Sequence, residues 1–157
     1  MIYSTATVPV NQEGETPLTR AQVWDALVWK ARDARLFLPP GLCTRCEVVE
    51  EGKTHIVREA TIGGEDLREI ISFDAGSKVS FFQASGPREG VIVNELFEDA
   101  AGALQLRFYC YTGLRGKEAN GPEEGAEQAW MDSERGYRTA LLSTLKRARG
   151  LVAEGKL

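Results

Sequence analysis

The residues whose types and spacing point most directly to chemistry are Arg58 and Glu69, which stand on either side of a Gly63-Gly64 pair. The segments around that pair, about 54–62 and 66–74, read as β-strands bounded by turn residues. A two-residue Gly-Gly loop makes them a hairpin and fixes the register. Ile62 then opposes Glu65, Ala60 opposes Leu67, Arg58 opposes Glu69 and Ile56 opposes Ile71. A four-residue loop keeps this parity, and a three-residue loop reverses it. Along 66–74, Leu67, Glu69, Ile71 and Phe73 share one face, while Arg68, Ile70, Ser72 and Asp74 share the other. The first face is the more apolar, so it turns inward and takes Glu69 and Arg58 with it. Opposite charges inside a protein cost desolvation and are rarely kept for stability alone. Such a pair can orient a polar ligand group, and Glu69 can act as a general base. The plainer alternative is that the two charges neutralise each other. Glu69 with Arg58 is the best catalytic candidate, and catalytic residues are otherwise unassigned.

The remaining reactive residues give weaker signals. Cys43-Thr44-Arg45-Cys46 is a single CxxC at the start of a strand, where positions i and i+3 point to opposite faces. With no second pair and no helix N-terminus beside it, neither a zinc nor a redox site is expected. The three cysteines, Cys43, Cys46 and Cys110, fit reduced thiols better than a disulfide framework. His55 is the only histidine, which leaves Ser-His and Cys-His nucleophile systems little to draw on. Acid–base work would fall to Glu69, Glu95 or Tyr137, and the facing of Asn94 and Glu95 is open. No GxGxxG, P-loop or HExxH occurs, and no metal or cofactor is expected.

The elements that must position these residues follow from periodicity. Residues 2–10 read as a first strand. Thr19 and Gln22 form a capping box, with Leu18 and Val23 as a staple across it. Val23, Trp24, Leu27, Val28 and Ala31 continue as a helical stripe, in which Trp24 reads as core. A second short helix over 33–38 stops at Pro39-Pro40-Gly41. Six strands follow, about 42–50, 54–62, 66–74, 77–85, 89–98 and 103–112, joined by short Gly-containing turns into an antiparallel meander. In the last of them Leu104, Leu106, Phe108 and Cys110 face inward. One long helix over 122–153 closes the chain. Pro122 sits in its first turn, Glu123, Glu124 and Glu127 lie at its positive end, and Lys146, Arg147 and Arg149 lie at its negative end. Gly136 within it marks a close approach to a neighbour or ligand. The helix needs a partner for its apolar stripe, and the sheet is the only large one available. The expected fold is α+β: a seven-stranded curved antiparallel sheet around a long C-terminal helix, with two short helices after strand 1.

Length and composition set the class. The 157 residues suit one domain over 1–157, and 43% hydrophobic with 27% charged residues is an ordinary globular balance. The net charge of −4 gives no electrostatic reason to expect nucleic acid or an anionic membrane. No apolar run reaches the roughly 18 residues of a membrane span, and the N-terminus lacks the pattern of a signal peptide. A cytoplasmic protein, monomeric or weakly dimeric, is the expectation.

The element order, the opening "YSTATVPVN…LTRAQVWDAL", the Pro-Pro-Gly and the C-terminal helix resemble the Bet v 1-like (START-like, SRPBCC) superfamily. "REATIGGEDLREIISFD" and "VWKARDARLFLPP" resemble its AtaL-like branch. The resemblance covers essentially the whole chain. It implies the helix-grip fold, with an internal cavity between sheet and C-terminal helix. Members bind lipids, sterols, polyketides or plant metabolites; some are cyclases, aromatases or hydrolases, others carriers or co-chaperones. The expected cavity residues from the first helices and strands are Phe37, Ile56, Arg58, Glu69, Ile71, Phe73 and Phe81. Phe108 of the last strand and Trp130, Tyr137 and Leu141 of the long helix complete the set. The first functional reading is a non-catalytic protein that binds a small apolar or amphipathic molecule. The alternatives are a polyketide cyclase or aromatase using the same cavity, and a protein-interaction module.

Overall fold

Alternating apolar residues and glycine turns give seven strands in the computed structural model, which describes residues 1–157. The strands are β1 (Ile2–Pro9), β2 (Cys43–Glu51), β3 (His55–Ile62), β4 (Glu65–Asp74), β5 (Lys78–Ser85), β6 (Arg88–Glu98) and β7 (Leu104–Leu114). They form one antiparallel sheet in the order β1-β7-β6-β5-β4-β3-β2. The meander from β2 to β7 is therefore intact, and β1 returns to its far edge. Gly63 and Gly64 both have positive φ, 61° and 82°, which a two-residue hairpin turn of this kind demands. The turn sets the β3–β4 register from Ile62–Glu65 through Arg58–Glu69 to Ile56–Ile71.

Helix α1 (Arg20–Arg32) begins at the Thr19/Gln22 capping box, with both reciprocal bonds formed. It buries Val23, Ala26, Leu27 and Ala31. After it, the expected second helix is only a 3₁₀ turn over Ala34–Leu36, capped by the Asp33 side chain. The prolines at 39 and 40 leave room for no more.

The expected long C-terminal helix is divided into α2 (Pro122–Asp132) and α3 (Tyr137–Ala153). The two pieces have different partners. Met131 of α2 is buried with Ile2 and Cys110, and Gln128 and Asp132 hydrogen-bond to Tyr3 and Ser4 of β1. Leu141, Leu145, Ala148 and Leu151 of α3 pack instead into the main core, against Val8, Ile56, Ile71, Val79, Leu96, Leu106 and Phe108 of the strands. The break at 133–136 separates the piece that joins one cluster from the piece that joins the other. Gly136 makes the break possible, because a Cβ there would lie 2.1 Å from the Met131 carbonyl oxygen. Gly136→Ala should therefore destabilise the protein by about 1–3 kcal/mol, a typical cost of a forced backbone clash, read as a lower urea midpoint by circular dichroism.

Arg149 does not serve the end of α3 as a charge match. It donates to the carbonyls of Val10 and Thr16 and pairs with Glu15, tying the loop after β1 to α3. No helix is long and apolar enough to cross a membrane.

Candidate functional site

Between the sheet, the end of α1 and the start of α3 lies a cavity of about 210 Å³. Its apolar wall is Ala34, Leu38, Ile62, Phe81, Ile92, Phe108 and Ala140. The polar groups that face it are Lys30, Arg58, Glu69, Asn94 and Tyr137. A second space of about 310 Å³ adjoins it at the surface, under Phe37, Leu42, Trp130 and Arg135. The two share Lys30, Leu38 and Ala140 as lining residues, so an inner chamber meets an outer vestibule at those three. The inner chamber is mainly apolar. The vestibule adds Arg135, Thr139, Ser143 and Thr144.

Each expected cavity residue has a definite place. Arg58, Glu69, Phe81, Phe108 and Tyr137 line the inner chamber. Phe37 and Trp130 line the vestibule, and Trp130 is exposed because it ends α2 just before the chain turns. Ile56, Ile71 and Leu141 are fully buried in the solid core below the cavity, where α3 and the sheet leave no gap. Phe73 packs edge-on against Trp24, ring centroids 6.5 Å apart, and is partly buried core. Inner-face parity alone marks a residue as inward. It does not separate the end of the sheet that α3 fills from the end that stays open.

Arg58 and Glu69 are both buried, at 4% and 5% exposure. They form one row with Gln83 across β3, β4 and β5. The Arg58 Nε donates to Glu69 Oε2 at 2.9 Å, and Nη2 donates to the same oxygen. Gln83 donates to Glu69 Oε1 at 2.8 Å. The remaining Arg58 nitrogen, Nη1, donates to the carbonyls of Lys30 (3.1 Å) and Ala31 (2.9 Å). Those are carbonyls of the last turn of α1, which lack intrahelical partners. The pair is thus a strut that joins three strands to the end of a helix. Its bonding capacity is largely spent, which leaves little of it for a ligand.

Lys30 is the polar residue with capacity to spare. It sits in the last turn of α1, where Arg58 holds its carbonyl. Its ammonium donates to Asn94 Oδ1 at 3.2 Å and lies 4.2 Å above the Phe108 ring. Burial lowers its pKa to about 7, the nearby Arg58 guanidinium pushes the same way, and the Glu69 carboxylate opposes them. Across the chamber, the Tyr137 ring meets Phe108 edge-on with centroids 6.2 Å apart. Its hydroxyl is buried and has no nitrogen or oxygen partner, only the weakly polar Cys110 thiol beside it. Burial pushes its pKa upward, and the neighbouring Cys110 thiol adds to the shift. The expected stripe of α1 stopped at Ala31 and passed over Lys30. Its signal in the sequence is spacing: Val23, Leu27 and Lys30 follow i, i+4 and i+7 on one helical face.

The other candidates lie elsewhere. Asn94 faces in and is buried, whereas Glu95 faces out and pairs with Arg107. Cys43 and Cys46 point to the same side, contrary to simple alternation. A bulge at Thr44 lets Cys43 pair with Ile62 and Cys46 with Ala60, two positions of like parity. Both thiols are buried with Ala34 and Ala60, and burial, with Cys46 adding to it, pushes the Cys43 thiol up. His55 is half-buried at the start of β3, near Glu50.

The architecture has relatives of known structure. The ZhuI aromatase/cyclase from Streptomyces sp. R1128 aligns over 96% of this chain and 94% of its own, with 20% identity and a TM-score of 0.60. Ara h 8.0201 aligns over 97% of both chains at 16% identity and a TM-score of 0.61. TTHA0849 from Thermus thermophilus aligns over 95% and 97%, with 13% identity and a TM-score of 0.64. These likenesses establish the Bet v 1-like helix-grip fold. No curated protein matches the sequence. The family model described as "AtaL: Acetylaranotin biosynthesis cluster protein L" matches residues 4–155, nearly the whole chain, and the protein belongs to that family.

Proposed function

We propose that the chain, acting as one unit over 1–157, binds a small amphipathic molecule, its apolar part against the apolar wall of the inner chamber and its polar part towards Lys30 at the neck. The observation that carries this reading is a mainly apolar chamber into which a few polar groups, Lys30, Asn94 and Tyr137 among them, converge, and which adjoins a second, likewise mainly apolar space. Together the two reach the roughly 300–1,000 Å³ of ordinary ligand sites. Of the expected residues, Arg58, Glu69, Phe81, Phe108 and Tyr137 form the chamber side of this site, and Phe37 and Trp130 the entrance. Inside, the cations Lys30 and Arg58 face one carboxylate, Glu69. With Arg58 and Glu69 matched to each other, an electron-rich oxygen on the ligand suits the remaining cation.

A second reading, an enzyme of the polyketide cyclase or aromatase type, draws on two findings. One is the likeness of the fold to the ZhuI aromatase/cyclase, and the other is the biosynthesis-cluster description of the family. In that reading the chamber holds a chain in a folded pose and its polar groups assist enolisation and loss of water. Native mass spectrometry of the protein purified from its own host tests the binding function. The expected result is a co-purifying small molecule that dissociates on collisional activation. Ligand-free protein alone, from repeated mild preparations, would count against it.

A further inference from the structure

We infer that Lys30 is a nucleophilic amine, and that the cavity takes a carbonyl compound, a ketone or 1,3-diketone, which condenses reversibly with it. This deepens the ligand-binding reading above and rests on it.

Three features of the geometry converge. First, the Lys30 nitrogen projects into a mainly apolar chamber and is the only amine there. Its single hydrogen-bond partner is Asn94, and no carboxylate is within ion-pair distance. An amine without a carboxylate partner loses its proton more readily, and the free base is the nucleophile. Second, the groups that face it from each neighbouring element favour that free base. Arg58 from β3 repels the ammonium, and the Glu69 carboxylate from β4 is already matched by Arg58. Asn94 from β6 offers a neutral acceptor, and Phe108 from β7 offers a ring face. Desolvation and a neighbouring cation are the two environments that activate a lysine amine. Third, Tyr137 from α3 lines the same chamber, its ring edge-on to the same Phe108 ring, and its buried hydroxyl has no nitrogen or oxygen partner, only the Cys110 thiol nearby. A carbonyl oxygen lying between them accepts that hydroxyl's hydrogen bond while its carbon faces the amine.

The step balances without any further reagent. The Lys30 nitrogen lone pair forms a bond to the carbonyl carbon, and the π pair moves to oxygen, which takes up a proton. That first proton comes from the nitrogen. The nitrogen lone pair then forms the C=N bond as the oxygen departs as water with a second proton. The nitrogen gives up that second proton to leave the imine, or the central carbon of a diketone gives it up to leave the enaminone. The product is an imine, or the conjugated enaminone when the ligand is a 1,3-diketone. No electrons are gained or lost overall, and hydrolysis reverses the step. Tyr137 is a positioning donor for the oxygen. Arg58 is a positioning residue for the helix end that carries the amine.

Acetylacetone is a suitable probe, because it is small, neutral and traps an unprotonated amine as a stable, ultraviolet-absorbing enaminone. The full-length protein is incubated with it at neutral pH, and adducts are mapped by peptide mass spectrometry. The expected result is one adduct, the mass of the diketone less one water, on Lys30. It should form at least about tenfold faster than on Lys53, Lys78, Lys117, Lys146 or Lys156. Lys30→Arg keeps a cation and should lose both the fast adduct and its absorbance. Tyr137→Phe should slow adduct formation while leaving the site of modification unchanged. Adducts spread evenly over the lysines, or none on Lys30 in a folded protein, would overturn the inference. A co-purified molecule in native mass spectra together with an unreactive Lys30 would reject the amine chemistry alone. An absence of any ligand together with a reactive Lys30 would reject the binding function and keep the amine chemistry.

Discussion

Glu69→Gln should cost the protein about 3–5 kcal/mol of stability, the usual result of removing one partner from a buried ion pair. The side chain keeps its shape, so no cavity opens. What changes is charge and bonding. Glu69 accepts from two Arg58 nitrogens and from Gln83, and all three partners are donors. A glutamine offers one oxygen and one NH₂, so at least one donor is left facing another donor. Arg58, 4% exposed, is left with a buried, uncompensated charge. The damage reaches α1, because Arg58 also holds the carbonyls of Lys30 and Ala31. Urea unfolding followed by tryptophan fluorescence measures the effect. The double variant Arg58→Met/Glu69→Leu is the control. With both charges gone it should lose less than the sum of the single changes, a coupling that marks the pair as a unit. A Glu69→Gln protein of near-normal stability that binds ligand but fails in turnover would instead return Glu69 to the role of a general base.

The sequence made the hairpin legible for a physical reason. A two-residue Gly-Gly turn allows one register, and one register places Arg58 opposite Glu69. The same period-2 logic placed Phe108 and Cys110 on the buried face. It failed at Cys43 and Cys46, because a bulge inserts one residue and nothing in Cys-Thr-Arg-Cys announces it. The break before α3 was half legible. Gly136 stood out, but Pro122 to Ala153 carries helical spacing throughout, and only the two separate clusters its halves join, Met131 with Ile2 and Cys110 and Leu141 to Leu151 with the main core, divide it. The candidate site was less legible than the fold. Its lining depends on where packing stops, as Ile56, Ile71 and Leu141 show by lying in solid core. Lys30 was passed over because the apolar stripe of α1, through Val23, Leu27 and Ala31, draws attention away from a single cation beside it. Only the fold shows that this one lines a chamber, because the sequence does not say where the end of α1 lies on the sheet.

Lys30→Met should make the protein more stable, and the gain should shrink as pH rises. The folded-state pKa of Lys30 is lowered to about 7, well below the 10.5 of an unfolded lysine. Between these values the unfolded chain holds a proton that the folded chain has released, so the wild-type protein gains stability as pH climbs from 7 towards 10. Below pH 7 both states are protonated, and the folded state bears the whole cost of an ammonium in a mainly apolar chamber. Methionine has no such cost, and its thioether fits the space above Phe108. The full shift corresponds to several kcal/mol, but the flexible lysine stem can carry its charge towards the vestibule, so a gain of about 1–3 kcal/mol near pH 6 is the realistic size. Thermal unfolding of both proteins at pH 6, 7, 8.5 and 10 reads it out. Every other titrating group is common to the two and cancels in the difference. A methionine variant less stable than wild type, or a gap that stays constant with pH, would show that the amine is satisfied where it stands. If the expected pattern appears, the variant gains stability by discarding the one amine in the chamber. It should then be the protein that gives no Lys30 adduct with acetylacetone, and that pairing of greater stability with lost reactivity is the mark of a group placed for chemistry and not for folding.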